Sequence, residues 1–186
     1  MNGMKKFATF AILMLLACTG AQEVEKESVA AAPPDYEANL KELGITLAVP
    51  SPPMANYVNA VTTGNLVFMA GKGPQKEDGT WITGKLGKDL TVEQGYEAAK
   101  LTAINQLAAL KAEIGSLNRV KRIVKVTGMV NSDPSFSEQP AVINGFSDLM
   151  VKVFGDAGKH ARAAVGMAAL PMNIAVEIEM IVEIAP

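Results

Sequence analysis

The stretch 174–184 alternates so regularly that it constrains the fold more than any other part of the chain. A period of two residues is that of a β-strand, in which neighbouring side chains point to opposite faces. The stretch is therefore predicted to form a strand with one face in the core and the other outside it. The core face would carry Val176, Ile178, Met180, Val182 and Ile184, and the other face Glu177, Glu179 and Glu183.

The remaining periodicities predict a β-β-α-β-α-β-β order, preceded by a short helix from Asp35 to Leu43. Thr91-Val92-Glu93-Gln94 is a capping-box pattern that opens the first long helix, which Gly115 ends. An α+β fold satisfies this order, with one sheet and both long helices packed on one face. The predicted strands cover 57–61, 66–70, 120–130, 163–169 and 174–184, and the second long helix runs from about 140 to 155.

The face of the last strand that carries the glutamates also carries Ile181, and several alanines lie nearby in the sequence. Such a mixed face makes a poor core. It is typical of an interface between subunits that encloses polar clefts, and it predicts a homo-oligomer.

The start of the chain has the pattern of an export signal. Lys5 and Lys6 precede the apolar run Phe7–Ala17, which is shorter than the roughly 20 residues that span a bilayer. The run ends at Cys18, the single cysteine of the chain, in a Leu-Leu-Ala-Cys sequence that resembles the lipobox of bacterial lipoproteins. Plain secretion remains the alternative.

This pattern predicts three regions: a signal peptide at 1–17, a flexible Ala-, Glu- and Pro-rich tether at 18–34, and one domain at 35–186. The expected location is the cell envelope, on the periplasmic or extracellular side of a bacterial membrane. A lipid on Cys18 would be the protein's only contact with that membrane.

Charge and residue counts exclude several kinds of site. The formal net charge of −2, without a basic cluster in the domain, argues against nucleic acid as a partner. One cysteine excludes a disulfide within the chain. One histidine excludes a multi-histidine metal site, and no Ser–His–Asp triad, metal or cofactor is expected.

Several segments, in the same order, resemble the RidA/YjgF family. The block from His160 to Pro171, followed by Val176-Glu177-Ile178-Glu179, is similar to the family's Arg strand, Leu-Pro turn and Val-Glu-Ile-Glu strand. Residues 64–71 resemble its first hairpin and 115–120 its helix-to-strand turn, and Asn144 precedes an aromatic residue as in the family. The likeness covers about residues 55–185.

The resemblance implies a chorismate-mutase-like fold and a homotrimer with ligand clefts between subunits. In well-studied members the cleft hydrolyses reactive enamines or imines to 2-oxo acids and ammonia. The expected partner is therefore a small carboxylated metabolite. Ala70 and Ala164 stand where Ser and Cys are frequent in relatives, so fewer polar groups are expected in this cleft.

Arg162 and Glu177 are the candidate catalytic residues. A guanidinium binds a carboxylate with two parallel hydrogen bonds, so Arg162 is predicted to hold the substrate; the alternative is a salt bridge between subunits. Glu177 follows across the Leu-Pro turn, where two adjoining strands would bring it close to Arg162. It would orient a water or move a proton; the alternative is a structural partner for Arg162.

Three further residues are candidates for substrate binding. Tyr57 matches the family's cleft tyrosine, Gly71 would offer its backbone N–H, and Asn144 would lie near the cleft. The alternatives are a packed aromatic for Tyr57 and a structural role for Asn144. Lys72 stands where many relatives have Gln and is predicted to be a surface lysine, and His160 is predicted to be an exposed spectator.

Two rival functions remain open at the level of the sequence. One is a non-catalytic ligand-binding or interaction module on the same trimeric scaffold. The other is a ribonuclease, an activity of some relatives, against which the negative charge and the single histidine argue.

Overall fold

The described part of the chain forms one five-stranded sheet and three helices, which confirms the predicted α+β arrangement. The structure, a computed structural model, describes residues 34–50, 52–53 and 55–186. The predicted signal, Cys18 and nearly all of the predicted tether lie outside these residues. The elements in chain order are α1 (Tyr36–Glu42), β1 (Ala60–Thr63), β2 (Leu66–Lys72), α2 (Val92–Ile114), β3 (Val120–Asn131), α3 (Gln139–Phe154), β4 (Ala161–Met167) and β5 (Val176–Ile184).

The strands lie in the order β1-β2-β5-β3-β4. β1 and β2 form a hairpin, whose turn includes Gly64 at φ 58°. β5 pairs antiparallel with both β2 and β3, while β4 pairs parallel with β3. The expectation that β4 and β5 adjoin across the Leu-Pro turn is therefore wrong. Two strands that are joined by a crossover helix run parallel to each other, and β3, α3 and β4 form such a unit.

The core lies between the sheet and the two long helices. All five apolar positions of the β5 alternation are buried, as predicted. The capping box at the start of α2 is also confirmed, with Thr91 and Gln94 each bonding the other's backbone N–H. The helices approach closely at Gly145, because a β-carbon there would collide with the Tyr96 carbonyl oxygen.

β1 and β4 are shifted at both ends from their predicted positions. β1 begins at Ala60, so Tyr57 lies in the segment before the strand. β4 begins at Ala161, two residues before the predicted start, because its parallel pairing with β3 already begins at Lys125 and Ala161. Both differences come from pairing between distant segments, which local periodicity does not report.

The sheet face opposite the helices carries apolar side chains in solvent. Val61, Phe68 and Val165 are 57%, 42% and 42% exposed. Arg122 and Glu183 form a salt bridge of 3.1 Å on the same face. Within the described residues, no helix has the length and apolar character needed to cross a membrane.

Candidate functional site

Arg162 lies on β4 and points toward α3. It pairs with the fully buried Val126 in the β3–β4 ladder, so its side chain lies on the helix side of the sheet. Nη1 donates to Asn144 Oδ1 at 2.9 Å and to Ser147 Oγ at 3.0 Å, and Nη2 makes a long contact of 3.5 Å with the Pro140 carbonyl. Nε has no acceptor within the described residues. One edge of the guanidinium is therefore fixed, and the Nε–Nη2 edge is available to a carboxylate.

His160 belongs to the same cluster. Its Nδ1 lies 2.7 Å from the Gly158 carbonyl and its Nε2 lies 3.0 Å from Ser147 Oγ. A carbonyl only accepts, so Nδ1 carries the proton and Nε2 accepts the Ser147 hydroxyl proton. Burial lowers the pKa of His160, the hydrogen bond to the Gly158 carbonyl partly opposes this, and the charge of Arg162 lowers the pKa further. The imidazole therefore stays neutral near pH 7, and the prediction of an exposed spectator is wrong.

Ser147 is the residue that sequence reasoning missed. It lies three positions after Asn144 on α3, on the same face of the helix, and this spacing was the available signal. Ser147 Oγ accepts from Arg162 and donates to His160. The third member of the arrangement is the Gly158 carbonyl rather than a carboxylate, so the cluster orients Arg162 and does not form a Ser–His–Asp triad.

Glu177 lies on the opposite face of the sheet. It sits between the buried Val176 and Ile178 on β5, and its side chain passes over Gly71, where a β-carbon would collide with Glu177 Oε1. Burial raises the pKa of Glu177, and the neighbouring charge of Glu179 raises it further. A carboxyl group whose pKa is raised toward neutrality is suited to proton transfer.

A bulge in β2 creates the close approach between Gly71 and Glu177. The β2–β5 register shifts between Met69 and Lys72. The side chain of Gln106, on α2, is fully buried and reaches this bulge. Its Nε2 donates to the Ala70 carbonyl at 2.9 Å and to the Ile178 carbonyl at 2.6 Å. Gln106 therefore holds the irregular end of β2 against β5.

Arg162 and Glu177 do not meet within one protomer. They project from opposite faces of the sheet, and β3 lies between their strands. The expectation that the Leu-Pro turn brings them together is wrong. Asn144 does lie with Arg162, as a hydrogen-bond partner, and Gly71 lies with Glu177.

Tyr57 and Gly71 line a cavity of about 410 Å³ beside the C-terminal end of β2. Tyr57 is 51% exposed, so it is not a packed strand aromatic. Lys72 also lines this cavity and is only partly exposed, which corrects the prediction of a surface lysine. In the part of the chain that the structure describes, no cluster of three His, Cys, Asp or Glu side chains could hold a metal ion.

The fold and the Arg162 cluster together define a class of protein, the chorismate-mutase-like α+β domains with one sheet backed by two long helices. Residues 37–184 match the family model described as YjgF/chorismate mutase-like, putative endoribonuclease. The chain belongs to the YjgF/RidA-like family.

Three relatives illustrate this membership. Protein TCP17 of Trypanosoma cruzi is 46% identical over 148 residues, which cover 79% of this chain and 92% of that protein. The crystal structure of Atu1372 from Agrobacterium tumefaciens, a protein with unknown function, is 47% identical with a TM-score of 0.75, covering 81% and 92% of the two chains. RidA from an Antarctic Psychrobacter is 28% identical with a TM-score of 0.52, covering 73% and 94%.

Proposed function

We propose that this protein binds small carboxylated imines or enamines in clefts between protomers and hydrolyses them to 2-oxo acids and ammonia. Arg162 holds the substrate carboxylate, Glu177 orients a water or transfers the proton, and Tyr57, Gly71 and Asn144 complete the cleft. Membership of a family that includes RidA supports the substrate class.

The fixed guanidinium of Arg162 is the observation that carries this proposal. Asn144 and Ser147 occupy both Nη1 protons, while Nε has no acceptor among the described residues. A carboxylate that approaches the open edge can form two parallel charge-assisted hydrogen bonds. Because the arginine is already oriented, the ligand does not have to order its side chain on binding.

A site that uses both Arg162 and Glu177 has to be assembled from two protomers, because the residues occupy opposite faces of one sheet. This geometry supports an association of protomers, which the proposal takes to be the expected homotrimer. The exposed apolar side chains of Val61, Phe68 and Val165 also support an interface on the sheet face opposite the helices.

Ammonia release from 2-iminopropionate, with Arg162→Ala as the control, tests the proposal. We expect wild-type protein to accelerate release above the uncatalysed rate and Arg162→Ala to lose most of that acceleration. Equal rates with and without wild-type protein would refute hydrolysis. Carboxylate binding that persists without turnover would instead favour the rival function, a non-catalytic ligand-binding module on the same scaffold.

A ribonuclease function has less support, although the matching family model carries the words putative endoribonuclease. The formal net charge is −2, and the only histidine of the chain bonds a serine and a carbonyl. We propose that nucleic acid is not a partner. Tight RNA binding at physiological salt would contradict this.

We also propose that the chain is exported and anchored in the cell envelope by a lipid on Cys18. The apolar run before a sole cysteine supports this proposal. In cells fed a labelled fatty acid, wild-type protein should take up the label and sediment with membranes, and Cys18→Ser should not. Unlabelled, fully soluble wild-type protein would overturn the proposal.

A further inference from the structure

The cavity beside Tyr57 has the dimensions of a small-molecule site. Its volume of about 410 Å³ falls within the range of roughly 300–1,000 Å³ that is usual for ligand pockets. Three parts of the fold enclose it: the segment after α1, the end of β2 with the loop that follows, and one face of α2. The apolar lining includes Ile45, Val49, Pro50, Trp81, Leu101 and Ile104.

Lys72 is a cavity-lining residue whose charge is partly buried. Its Nζ donates to Asn59 Oδ1 at 2.5 Å, and no carboxylate among the described residues lies within salt-bridge distance of it. Burial lowers the pKa of Lys72, with no contribution from another charge. A partly buried ammonium with one neutral partner is incompletely compensated, so an anion in the cavity would stabilise it.

The loop after β2 is fixed in place around the lysine. Asn105 of α2 lines the cavity, and its Nδ2 donates to the carbonyls of Gly73 and Gln75, each at 3.0 Å. Trp81 lies against Gly73, where a β-carbon would collide with its ring. The apolar wall is thus held beside Lys72 by hydrogen bonds and close packing.

We propose that this cavity binds a small monocarboxylate with a branched alkyl or aryl side chain, its carboxylate on Lys72 Nζ and its apolar part against Trp81. Within one protomer the cavity lies far from Arg162, because Arg162 is on β4, at the other edge of the sheet. It shares Tyr57 and Gly71 with the proposed cleft, but it requires binding alone and holds whether or not the protein hydrolyses imines.

Lys76 and Glu77 also line the cavity, but both are exposed. Opposite charges in solvent contribute little and largely offset each other. Lys72 is therefore the group that selects an acid over a neutral ligand of the same shape.

Trp81 gives a direct readout, because it is the only tryptophan of the chain. The full-length protein is titrated with 4-methylpentanoate and, in parallel, with 4-methylpentanamide, which has the same apolar body without the charge. We expect a saturable change in Trp81 fluorescence with the acid and at least about tenfold weaker binding of the amide. Equal affinity for acid and amide would overturn the proposal without any variant.

Two substitutions assign the charge to its residue. Lys72→Gln keeps a donor for Asn59 and removes the charge, so it should bind the acid as weakly as the amide. Lys152→Gln removes a matched exposed lysine on α3 and should bind the acid like wild type. Wild-type affinity in Lys72→Gln would overturn the proposal.

A third variant separates this site from the proposed cleft. Arg162→Ala should keep the Trp81 response to 4-methylpentanoate, even where it abolishes ammonia release. Loss of the Trp81 response in Arg162→Ala would overturn the separate site and assign the carboxylate to the cleft between protomers.

Discussion

Arg162 and Glu177 project from opposite faces of the same sheet, with β3 between their strands. Arg162 bonds to α3 on the helix side, whereas Glu177 passes over Gly71 on the open side. The two candidate catalytic groups can therefore act on one molecule only when protomers associate. The proposed cleft therefore predicts that activity depends on oligomerisation.

Arg162→Ala should weaken binding of pyruvate roughly 30-fold or more while leaving the fold intact. Truncating one side of a desolvated charge pair typically costs about 2–5 kcal/mol, at about 1.4 kcal/mol per tenfold in affinity. The guanidinium is partly exposed on edge strand β4, so its removal opens no core cavity. Calorimetric titration measures the affinity, and a thermal melt checks the fold.

Arg162→Lys is the matched control for that loss. It keeps the positive charge but cannot form two parallel hydrogen bonds with a carboxylate, so it should recover only part of the affinity. Wild-type affinity in Arg162→Ala would remove Arg162 from the site, and an unfolded variant would identify it as a structural residue.

Gly71→Ala should destabilise the fold through Glu177. The added methyl group would occupy the space of Glu177 Oε1, and overpacking of this kind costs about 1–3 kcal/mol, with the lower end expected because a glutamate side chain can swing aside. Urea unfolding of both single variants and the double variant Gly71→Ala/Glu177→Ala measures the coupling. The alanine should cost less once Glu177 is shortened; the same cost in both backgrounds would show that this contact is unimportant.

Local sequence patterns predicted the helices and strands, whereas pairing between distant segments determines which residues meet at the candidate site. The alternation from Val176 to Ile184 and the capping box at Thr91 depend on neighbours within a few residues, and both are confirmed. The position of β3 between β4 and β5 depends on the crossover of α3, which periodicity alone does not report. The strand–helix–strand order did contain that information, because such units place their strands in parallel.

The surroundings of single side chains were the least predictable property. Lys72 was expected on the surface because lysine usually lies there, but the segment after α1 and the face of α2 enclose it. His160 was expected in solvent, yet Ser147 and the Gly158 carbonyl hold both of its ring nitrogens. These contacts join elements far apart in the chain or depend on a loop conformation that no sequence pattern encodes.

Phe68→Glu should prevent self-association. Phe68 lies on the helix-free face, paired with Val61 on one side and Ile181 on the other, and it is 42% exposed. A charge at this point would be buried without a partner if the face forms the interface. Sedimentation equilibrium should report a trimer for wild type and a monomer for the variant.

The control for that substitution lies on the opposite side of the molecule. Val151 is 38% exposed on α3, and Val151→Glu should leave the trimer intact. A wild-type monomer at micromolar concentration would reject the proposed assembly, and a trimer that survives Phe68→Glu would reject this face as its interface.

His160→Gln should make stability less sensitive to acid. Burial lowers the pKa of His160 below its ordinary value of 6.5, so the unfolded chain takes up a proton at a higher pH than the folded one. Above pH 6.5 both states are neutral at this position. As the pH falls through 6.5 toward the lowered pKa, the proton binds the unfolded state first and unfolding is favoured. The loss is complete below the folded pKa.

A glutamine at position 160 cannot take up this proton, and its side-chain oxygen can still accept the Ser147 hydroxyl proton. The free energy of unfolding of His160→Gln should therefore fall less steeply than that of wild type below pH 6.5. The two slopes should differ by at most about 1.4 kcal/mol per pH unit, which corresponds to the binding of one proton. Glu177 titrates with the opposite sign, because its pKa is raised, but it is present in both proteins and cancels in the comparison. Urea unfolding from pH 7.5 to 5 measures the two slopes. Parallel curves would mean that His160 has the same pKa in the folded and unfolded states, so that its burial does not disfavour the imidazolium.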